Sequence, residues 1–176
     1  MKFVMPGYFQ AMRTPVMEGA GFAADEQIEP NAVVVSAALT RRYFSGASPT
    51  GKDIQRLESD GSEVTLFDRP VPPWTIVGVV ADVREASLRI EPPAIVYVPV
   101  RDPAVERSIV PTAMTLVIRS DAPPASLAAT VRRVIREVEP TLSVARIRTM
   151  DAIVASTIAR ERFLAALLLV AALRRD

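Results

Sequence analysis

The chain has 176 residues, of which 49% are hydrophobic and 23% charged, and its formal net charge is +1. This composition is typical of a folded globular domain with a core of its own, and it excludes an intrinsically disordered chain. Acidic and basic residues are interspersed along the sequence, so no nucleic acid is expected as a partner.

Histidine and cysteine are both absent from the sequence. The chain therefore lacks the commonest general base, the commonest ligands of transition metals, a thiolate nucleophile and any disulfide. We expect no catalytic residue, no cofactor-binding residue and no metal ligand, and we expect that the protein is not an enzyme. Hydrolysis through carboxylates or through a serine–lysine pair stays open as an alternative.

The first half of the chain predicts short elements joined by turns. A run of β-branched residues leads directly into a helix, and an amphipathic stretch, a turn and an alternating strand surround them. In chain order, these elements are expected at residues 6–12 (amphipathic), 32–35 (strand), 37–44 (helix), 45–49 (turn) and 53–57 (strand). Residues 18–30 are expected to form a polar link, and residues 59–73 a hairpin loop or a variable insertion.

Strands dominate the middle of the chain. The strongest one is predicted at residues 74–83, where Gly78 indicates a bulge or the close approach of another backbone. Further strands are expected at residues 95–100, 114–119 and 144–147. This order of strands and helices predicts an α+β fold with two lobes.

Residues 126–138 form the clearest predicted helix, with Pro124 near its start and Pro140 just past its end. One apolar stripe runs along it at helical spacing, formed by Leu127, Val131, Val134, Ile135 and Val138. Such a stripe needs a partner surface. We expect it to pack onto a sheet that contains residues 114–119 and 144–147.

Residues 46–53 (GASPTGKD) match the phosphate-binding pattern G-x-x-x-x-G-K-[ST] except at the last position, which is Asp53. An aspartate there would place a negative charge beside the phosphates instead of a hydroxyl on magnesium. The context is also reversed, because a phosphate loop opens a helix whereas this segment opens a strand. Pro49 removes one N–H that could bind phosphate. We therefore expect a tight helix-to-strand turn and no bound nucleotide.

Other polar residues offer weaker candidates for chemistry. The acids Asp82, Glu85 and Glu91 lie near strand ends, but their spacing matches no calcium loop, and surface charge is the simpler interpretation. Ser36 or Ser45 could be paired with Lys52, although no nucleophile turn supports either pair. A strand end or a helix cap explains both serines. The aromatic residues Tyr8, Tyr43, Trp74 and Tyr97 are too scattered in sequence to predict a base-stacking platform.

Residues 163–173 (FLAALLLVAAL) form an unbroken apolar run in a helix that is expected to begin near Met150, with Thr149 as its cap. These eleven residues span about 16 Å as a helix, roughly half of a bilayer core. A core helix, an interfacial helix and the first half of a transmembrane span all stay open. The span is favoured because every face is apolar and the charged residues 160–162 precede it.

Several stretches together resemble one protein family. They are residues 6–9 (PGYF), 43–52 (YFSGASPTGK), 74–84 (WTIVGVVADVR), 97–99 (YVP), 114–119 (MTLVIR), 138–140 (VEP) and 148–151 (RTMD). This succession resembles the MacB-like periplasmic core domain of FtsX-like ABC transporter permeases, in particular the acidobacterial-type duplicated permease group. The resemblance covers nearly the whole chain.

The resemblance implies a two-lobed domain with mixed sheets and a C-terminal helix that leads into the membrane. Residues 1–159 would form the extracytoplasmic domain, with lobes at approximately 6–110 and 111–150, and residues 160–176 would form the truncated start of a transmembrane helix. In the family, transmembrane helices flank this domain. Because the sequence lacks a complete transmembrane helix at either end, we expect it to be a fragment of a longer chain.

The resemblance also implies a role and partners. The domain would be non-catalytic and would serve in coupling and in contact with a partner or substrate during export or envelope transport. Its partners would be the rest of the permease, a cytoplasmic ATPase subunit and envelope proteins, and the C-terminal helix would contact the membrane. It would lie on the periplasmic side of a bacterial inner membrane. A soluble carboxylate-dependent hydrolase and a free-standing envelope adaptor are the alternatives.

Overall fold

The computed structural model describes residues 1–22, 28–55, 65–66, 69–70, 72–84, 91–100, 114–144 and 146–156. The chain divides into two units, Met1–Arg119 and Ser120–Asp176. The predicted helix at residues 163–173 lies outside the described residues, as do Glu85 and the second half of the strand predicted at residues 53–57.

The first unit is built mainly of short strands. Its elements are β1 (Lys2–Val4), α1 (Tyr8–Met12), β2 (Val16–Gly19), β3 (Ala32–Ser36), α2 (Ala37–Phe44), β4 (Asp53–Ile54), β5 (Thr65–Leu66), β6 (Arg69–Pro70), β7 (Trp74–Val80) and β8 (Val96–Pro99). The strand at β3, the helix at α2 and the strands at β7 and β8 confirm the sequence predictions. Strands β5 and β6 pair as a small antiparallel ladder inside the predicted hairpin loop.

The larger sheet is mixed, which confirms the predicted α+β class. Its strands lie in the order β1-β8-β3-β7-β2, and β4 also pairs with β7. The pairs β1–β8 and β3–β7 are parallel, whereas β3–β8, β2–β7 and β4–β7 are antiparallel. The central strand β3 therefore has a parallel neighbour on one side and an antiparallel neighbour on the other.

Both faces of this sheet are buried. Successive residues of a strand point to opposite faces, and every residue of β3 is buried. On one face, the α2-side core contains Val33, Val35, Ala37, Leu39, Ile76, Val79 and Val98. On the other face, the α1-side core contains Val4, Phe9, Phe22, Val34, Val80, Ile95 and Tyr97. This arrangement explains why β3 is a continuous apolar run instead of an alternating one.

A bulge in β7 keeps the apolar residues of that strand on the correct faces. Val33 lies opposite Ile76, but the next residue, Val34, lies opposite Gly78, so Val77 is the extra residue. The bulge shifts the alternation by one residue. As a result, Ile76 and Val79 both belong to the α2-side core, whereas Val80 belongs to the α1-side core.

The bulge depends on glycine at position 78. A Cβ atom at Gly78 would lie 2.0 Å from the carbonyl oxygen of Ala20. Its partner in β2, Gly19, has a φ of +66° and is packed as tightly, because a Cβ there would lie 2.2 Å from the carbonyl oxygen of Val77. Both sequence interpretations of Gly78, a bulge and a close backbone approach, are confirmed.

Two strands of the first unit are missing from the sequence prediction. Strand β1 has only three residues, which is too short to give a periodic signal. Strand β2 overlaps the segment predicted as a polar link from residue 18 onward, so that interpretation is wrong at its start. Its residues are mostly exposed, because β2 lies at an edge of the sheet and contributes little to either core.

The second unit contains helix α3 (Pro124–Val138), which begins and ends where the prolines predict. A helix at residues 150–156 follows, and Thr149 Oγ1 accepts a hydrogen bond from the backbone N–H of Ala152 at 3.1 Å. The predicted cap at Thr149 is confirmed.

The expected sheet beside α3 is wrong for the described residues. Neither residues 114–119 nor the described part of 144–147 forms a strand. The stripe of α3 is only half-buried at Val131, and Val134 and Val138 are 44% and 78% exposed. Two short segments around one helix would make at most a two-stranded sheet, which is marginally stable without further strands.

The bulge gives a direct test of the fold. Gly78→Ala should lower the free energy of unfolding by about 1–3 kcal/mol, because the new methyl group overlaps the backbone of Ala20. The control is Gly21→Ala, whose methyl group would meet the movable side chain of Val16 at 3.1 Å. Urea unfolding followed by circular dichroism measures both changes. Equal effects of the two substitutions would contradict the close packing at Gly78.

Candidate functional site

The turn at residues 46–53 resembles a phosphate loop in sequence, but its backbone groups are used inside the fold. The N–H of Ala47 donates to the carbonyl of Phe44 at 2.9 Å, and that of Lys52 donates to the carbonyl of Pro49 at 3.0 Å. The N–H of Gly51 donates to the carbonyl of Ile76 in β7 at 2.7 Å. A phosphate loop needs such N–H groups free to point at the ligand. The turn therefore has a structural role, which is to connect α2 to β4.

The lysine of this turn also has a local contact. The Lys52 ammonium lies 5.2 Å from the centre of the Phe44 ring, which is within the range of a cation–π interaction. Phe44 is the last residue of α2 and packs against the α2-side core. This contact places the Lys52 side chain beside the C-terminal end of α2.

A carboxylate from β2, far away in sequence, accepts hydrogen bonds from two side chains of the turn. Glu18 of β2 accepts a hydrogen bond from the Thr50 hydroxyl at 2.6 Å and another from the Ser48 hydroxyl. The hydrogen bond from Ser48, followed by that from Thr50, lowers the pKa of Glu18 below its ordinary value. We call these three residues the Glu18 clasp. It adds a negative charge beside the turn, which opposes the binding of an anionic phosphate.

The candidate serines are structural in this fold. Ser36 is fully buried, and its Oγ accepts hydrogen bonds from the N–H groups of Leu39 at 3.3 Å and Ile95 at 2.9 Å. The Ser36 hydroxyl thus caps α2 and ties it to the segment before β8, as the cap interpretation predicts. Ser45 ends α2 in the left-handed conformation, with a φ of +49°.

Asp82 is the most strongly engaged of the candidate acids. One of its oxygens accepts the N–H of Ala38 at 2.6 Å, and the other lies 2.6 Å from the guanidinium of Arg41. The carboxylate thus satisfies a free N–H in the first turn of α2 and stabilises the positive end of the helix dipole. Glu91 is exposed. In the part of the chain that the structure describes, no group of three or more acidic residues is placed to hold a metal ion.

The fold brings some of the aromatic residues together, although they are scattered in sequence. The ring centres of Phe9 and Tyr97 lie 5.1 Å apart, and those of Tyr8 and Tyr97 lie 6.2 Å apart. Phe9 and Tyr97 are buried in the α1-side core, so their faces are not available to stack on a base. Trp74 packs against the opposite core, and the exposed Tyr43 contacts Arg42.

Two open grooves were not foreseen from the sequence. One lies in the first unit beside α1, has a volume of about 400 Å³ and is lined by residues that include Phe9, Arg13 and Val16. The other lies in the second unit, has a volume of about 390 Å³ and contains Arg132 and Arg136 of α3. Each groove is lined by residues close in sequence, 9–21 and 132–144, but its shape depends on how the chain turns after the helix.

The family of the chain follows from a comparison with models of known families. The model of the MacB-like periplasmic core domain matches residues 1–138, which is most of the chain. The chain belongs to the MacB-like periplasmic core domain family. The sequence resemblance to this family is therefore confirmed.

Two solved structures are similar to parts of this chain. The periplasmic region of MacB from Actinobacillus actinomycetemcomitans is 15% identical, with a TM-score of 0.48 over 76% of this chain and 54% of that one. A domain from Porphyromonas gingivalis, proposed to be part of a permease, is 18% identical, with a TM-score of 0.44 over 77% of this chain and 57% of that one. The chain thus spans little more than half of either structure. No curated protein matches it.

The membrane-spanning interpretation of the C-terminus is not addressed by the described part of this MacB-like domain. Among the described residues, no helix is long and apolar enough to cross a membrane. The apolar run at residues 163–173 lies outside them.

The Glu18 clasp predicts a pH-dependent contribution to stability. Because the folded-state pKa of Glu18 is lowered, the ionised carboxylate stabilises the fold fully above its unfolded-state pKa and loses this effect as the pH falls through the folded-state pKa. Glu18→Gln keeps an acceptor but removes the charge. It should lower the melting temperature at neutral pH, and the gap to the unmodified protein should shrink as the pH falls below the ordinary glutamate range.

The control for this experiment is Glu29→Gln, at an exposed glutamate in the loop before β3. Thermal melting across a pH series measures all three proteins. A gap between Glu18→Gln and the unmodified protein that stays constant with pH would contradict the clasp.

Proposed function

We propose that this chain is a non-catalytic extracytoplasmic domain of an ABC-type permease and lies on the periplasmic side of a bacterial inner membrane. Membership of the MacB-like periplasmic core domain family is the observation that carries the proposal. In this role, ATP would be hydrolysed by a separate cytoplasmic ATPase subunit, and this domain would contact the rest of the permease and proteins of the envelope.

The use of polar groups in the first unit supports a role without catalysis. Ser36 and Asp82 stabilise the start of α2, and the Glu18 clasp fixes the turn after it. A catalytic acid or nucleophile must be free to meet a substrate, whereas these side chains are occupied by backbone groups and hydroxyls of the same fold. The same observation counts against the alternative of a carboxylate-dependent hydrolase.

The construction of the sheet supports a role in mechanical coupling. With both faces buried, the strands cannot slide without opening one of the two cores. A unit of this kind moves as a rigid body, which is how many coupled domains transmit a conformational change. We propose that the first unit transmits movement between the membrane part of the permease and its partner outside the membrane.

We propose that residues 160–176 attach the domain to the membrane. The charged residues 160–162 would lie at the water–membrane boundary, and the apolar run at residues 163–173 would enter the bilayer. The domain would then be attached to the membrane by the continuation of the helix that begins at residue 150.

The location of the domain can be tested by chemical labelling. This chain has no cysteine of its own. Ala47→Cys, at an exposed residue of the turn after α2, therefore places one thiol in the domain of the natural gene product. A maleimide that cannot cross the inner membrane should label this variant in cells whose outer membrane alone has been permeabilised.

The unmodified gene product measures background labelling, and lysed cells measure the total reactivity of the cysteine. Labelling that occurs only after the inner membrane is lysed would place the domain in the cytoplasm and contradict the proposed function.

A further inference from the structure

The groove in the second unit carries an arrangement of charges that the permease role does not explain. It lies between α3 and the chain that follows Pro140, and it has a volume of about 390 Å³. Arg132 and Arg136 line it from the helix, and Ser143 lines it from the returning chain. Residues four apart on a helix are neighbours on its surface, with Cβ atoms about 5–6 Å apart. Both guanidinium groups can therefore reach the same ligand.

These two arginines differ from the arginine between them. The Arg133 guanidinium lies 3.0 Å from Glu137 on the same helix and so has an ion-pair partner. Within the described part of the chain, neither Arg132 nor Arg136 has such a partner. Two cationic groups that share one groove repel each other, and a bound anion would reduce this repulsion.

The acid that directly follows α3, Glu139, is engaged by a neighbouring residue. Glu139 accepts hydrogen bonds from the hydroxyl of Thr141 at 2.6 Å and from its backbone N–H at 3.3 Å. The hydroxyl contact, followed by that of the N–H, lowers the pKa of Glu139. Glu139 does not line the groove, whose charged lining residues are Arg132 and Arg136.

The chemistry of the donors favours a phosphate group over a carboxylate. A guanidinium is a planar fork that donates two parallel hydrogen bonds. A carboxylate has two oxygens and is satisfied by one fork. A phosphate monoester offers three terminal oxygens, and a phosphodiester offers two terminal and two bridging oxygens, so either can accept from two forks and a serine hydroxyl. Pro140, Leu142 and Val144 line the remainder of the groove with apolar surface, which suits an organic group attached to the phosphate.

We propose that Arg132, Arg136 and Ser143 form a binding site for the phosphate group of an organic phosphate. The phosphate would sit between the two guanidinium groups and accept a hydrogen bond from Ser143, and its organic part would lie against Leu142 and Val144. Both a soluble phosphate ester and the headgroup of an anionic phospholipid present this chemistry. The proposal goes beyond the permease role and does not depend on it.

The test compares three variants of the full chain. In the first, Arg132→Gln and Arg136→Gln are combined, which removes both charges. In the second, Arg132→Lys and Arg136→Lys are combined, which keeps the charges but removes the forks. The third, Arg133→Gln, removes a charge from the same helix outside the groove. All three changes are on exposed residues, and circular dichroism checks that each variant folds.

The probes are glycerol 3-phosphate, inorganic phosphate, acetate, and vesicles of phosphatidylcholine with or without phosphatidylglycerol. Calorimetry measures the binding of the soluble ligands, and co-sedimentation measures binding to the vesicles. We expect the double glutamine variant to bind about tenfold or more weakly than the unmodified chain, the double lysine variant to be intermediate, and Arg133→Gln to be unchanged. The apolar C-terminal run is the same in every variant, so it does not contribute to the differences.

The outcomes separate the two sources of phosphate. Arginine-dependent binding of glycerol 3-phosphate assigns the site to soluble esters, and arginine-dependent binding of phosphatidylglycerol vesicles alone assigns it to the lipid headgroup. Binding of acetate as tight as that of phosphate, an equal loss in Arg133→Gln, or no arginine-dependent binding to any probe would overturn the proposal. None of these results bears on the labelling of the periplasmic side, so the two proposals fail separately.

Discussion

The burial of both faces of one sheet is the constraint on which the first unit depends. A strand that is covered on both sides must carry apolar residues at every position, and β3 does so from Ala32 to Val35. Two helices are then needed as covers, and each follows a strand closely enough in sequence to fold back onto it. The bulge at Val77 serves the same requirement, because it returns the apolar residues of β7 to the correct faces. Glycine at position 78 is the condition for that bulge.

The same constraint explains the positions of two polar residues of this unit, Ser36 and Asp82. A helix packed across a buried sheet has free N–H groups at its start, and these must find acceptors. Ser36 and Asp82 supply them. The chain must also leave α2 and enter β4 in a tight turn, and the Glu18 clasp fixes that turn to β2. The resemblance of the turn to a phosphate loop arises because glycines suit tight turns in both cases.

Local signals made part of this architecture predictable. The β-branched run before α2, the cap at Thr149 and the bulge at Gly78 each have a cause within a few residues, and each is found in the structure. Contacts between distant segments were not predictable in this way. Glu18 lies 32 residues from Thr50, and Asp82 lies 44 residues from Ala38, so no pattern in the sequence joins them. The expected sheet beside α3 failed for a related reason, because a helical stripe shows that a partner surface is needed without showing which one.

Because β3 is buried on both faces, the first unit should be more resistant to local opening than α3, and native-state hydrogen exchange tests this difference most directly. The amides of Val33, Val34 and Val35 lie in a strand buried on both faces and should exchange only when the whole first unit unfolds. The amides of α3 lie on a helix whose stripe is partly exposed at Val134, so they should exchange by local opening at a lower free energy. Protection of α3 equal to that of β3 would contradict this account, because it would mean that the stripe of α3 packs against a stable core.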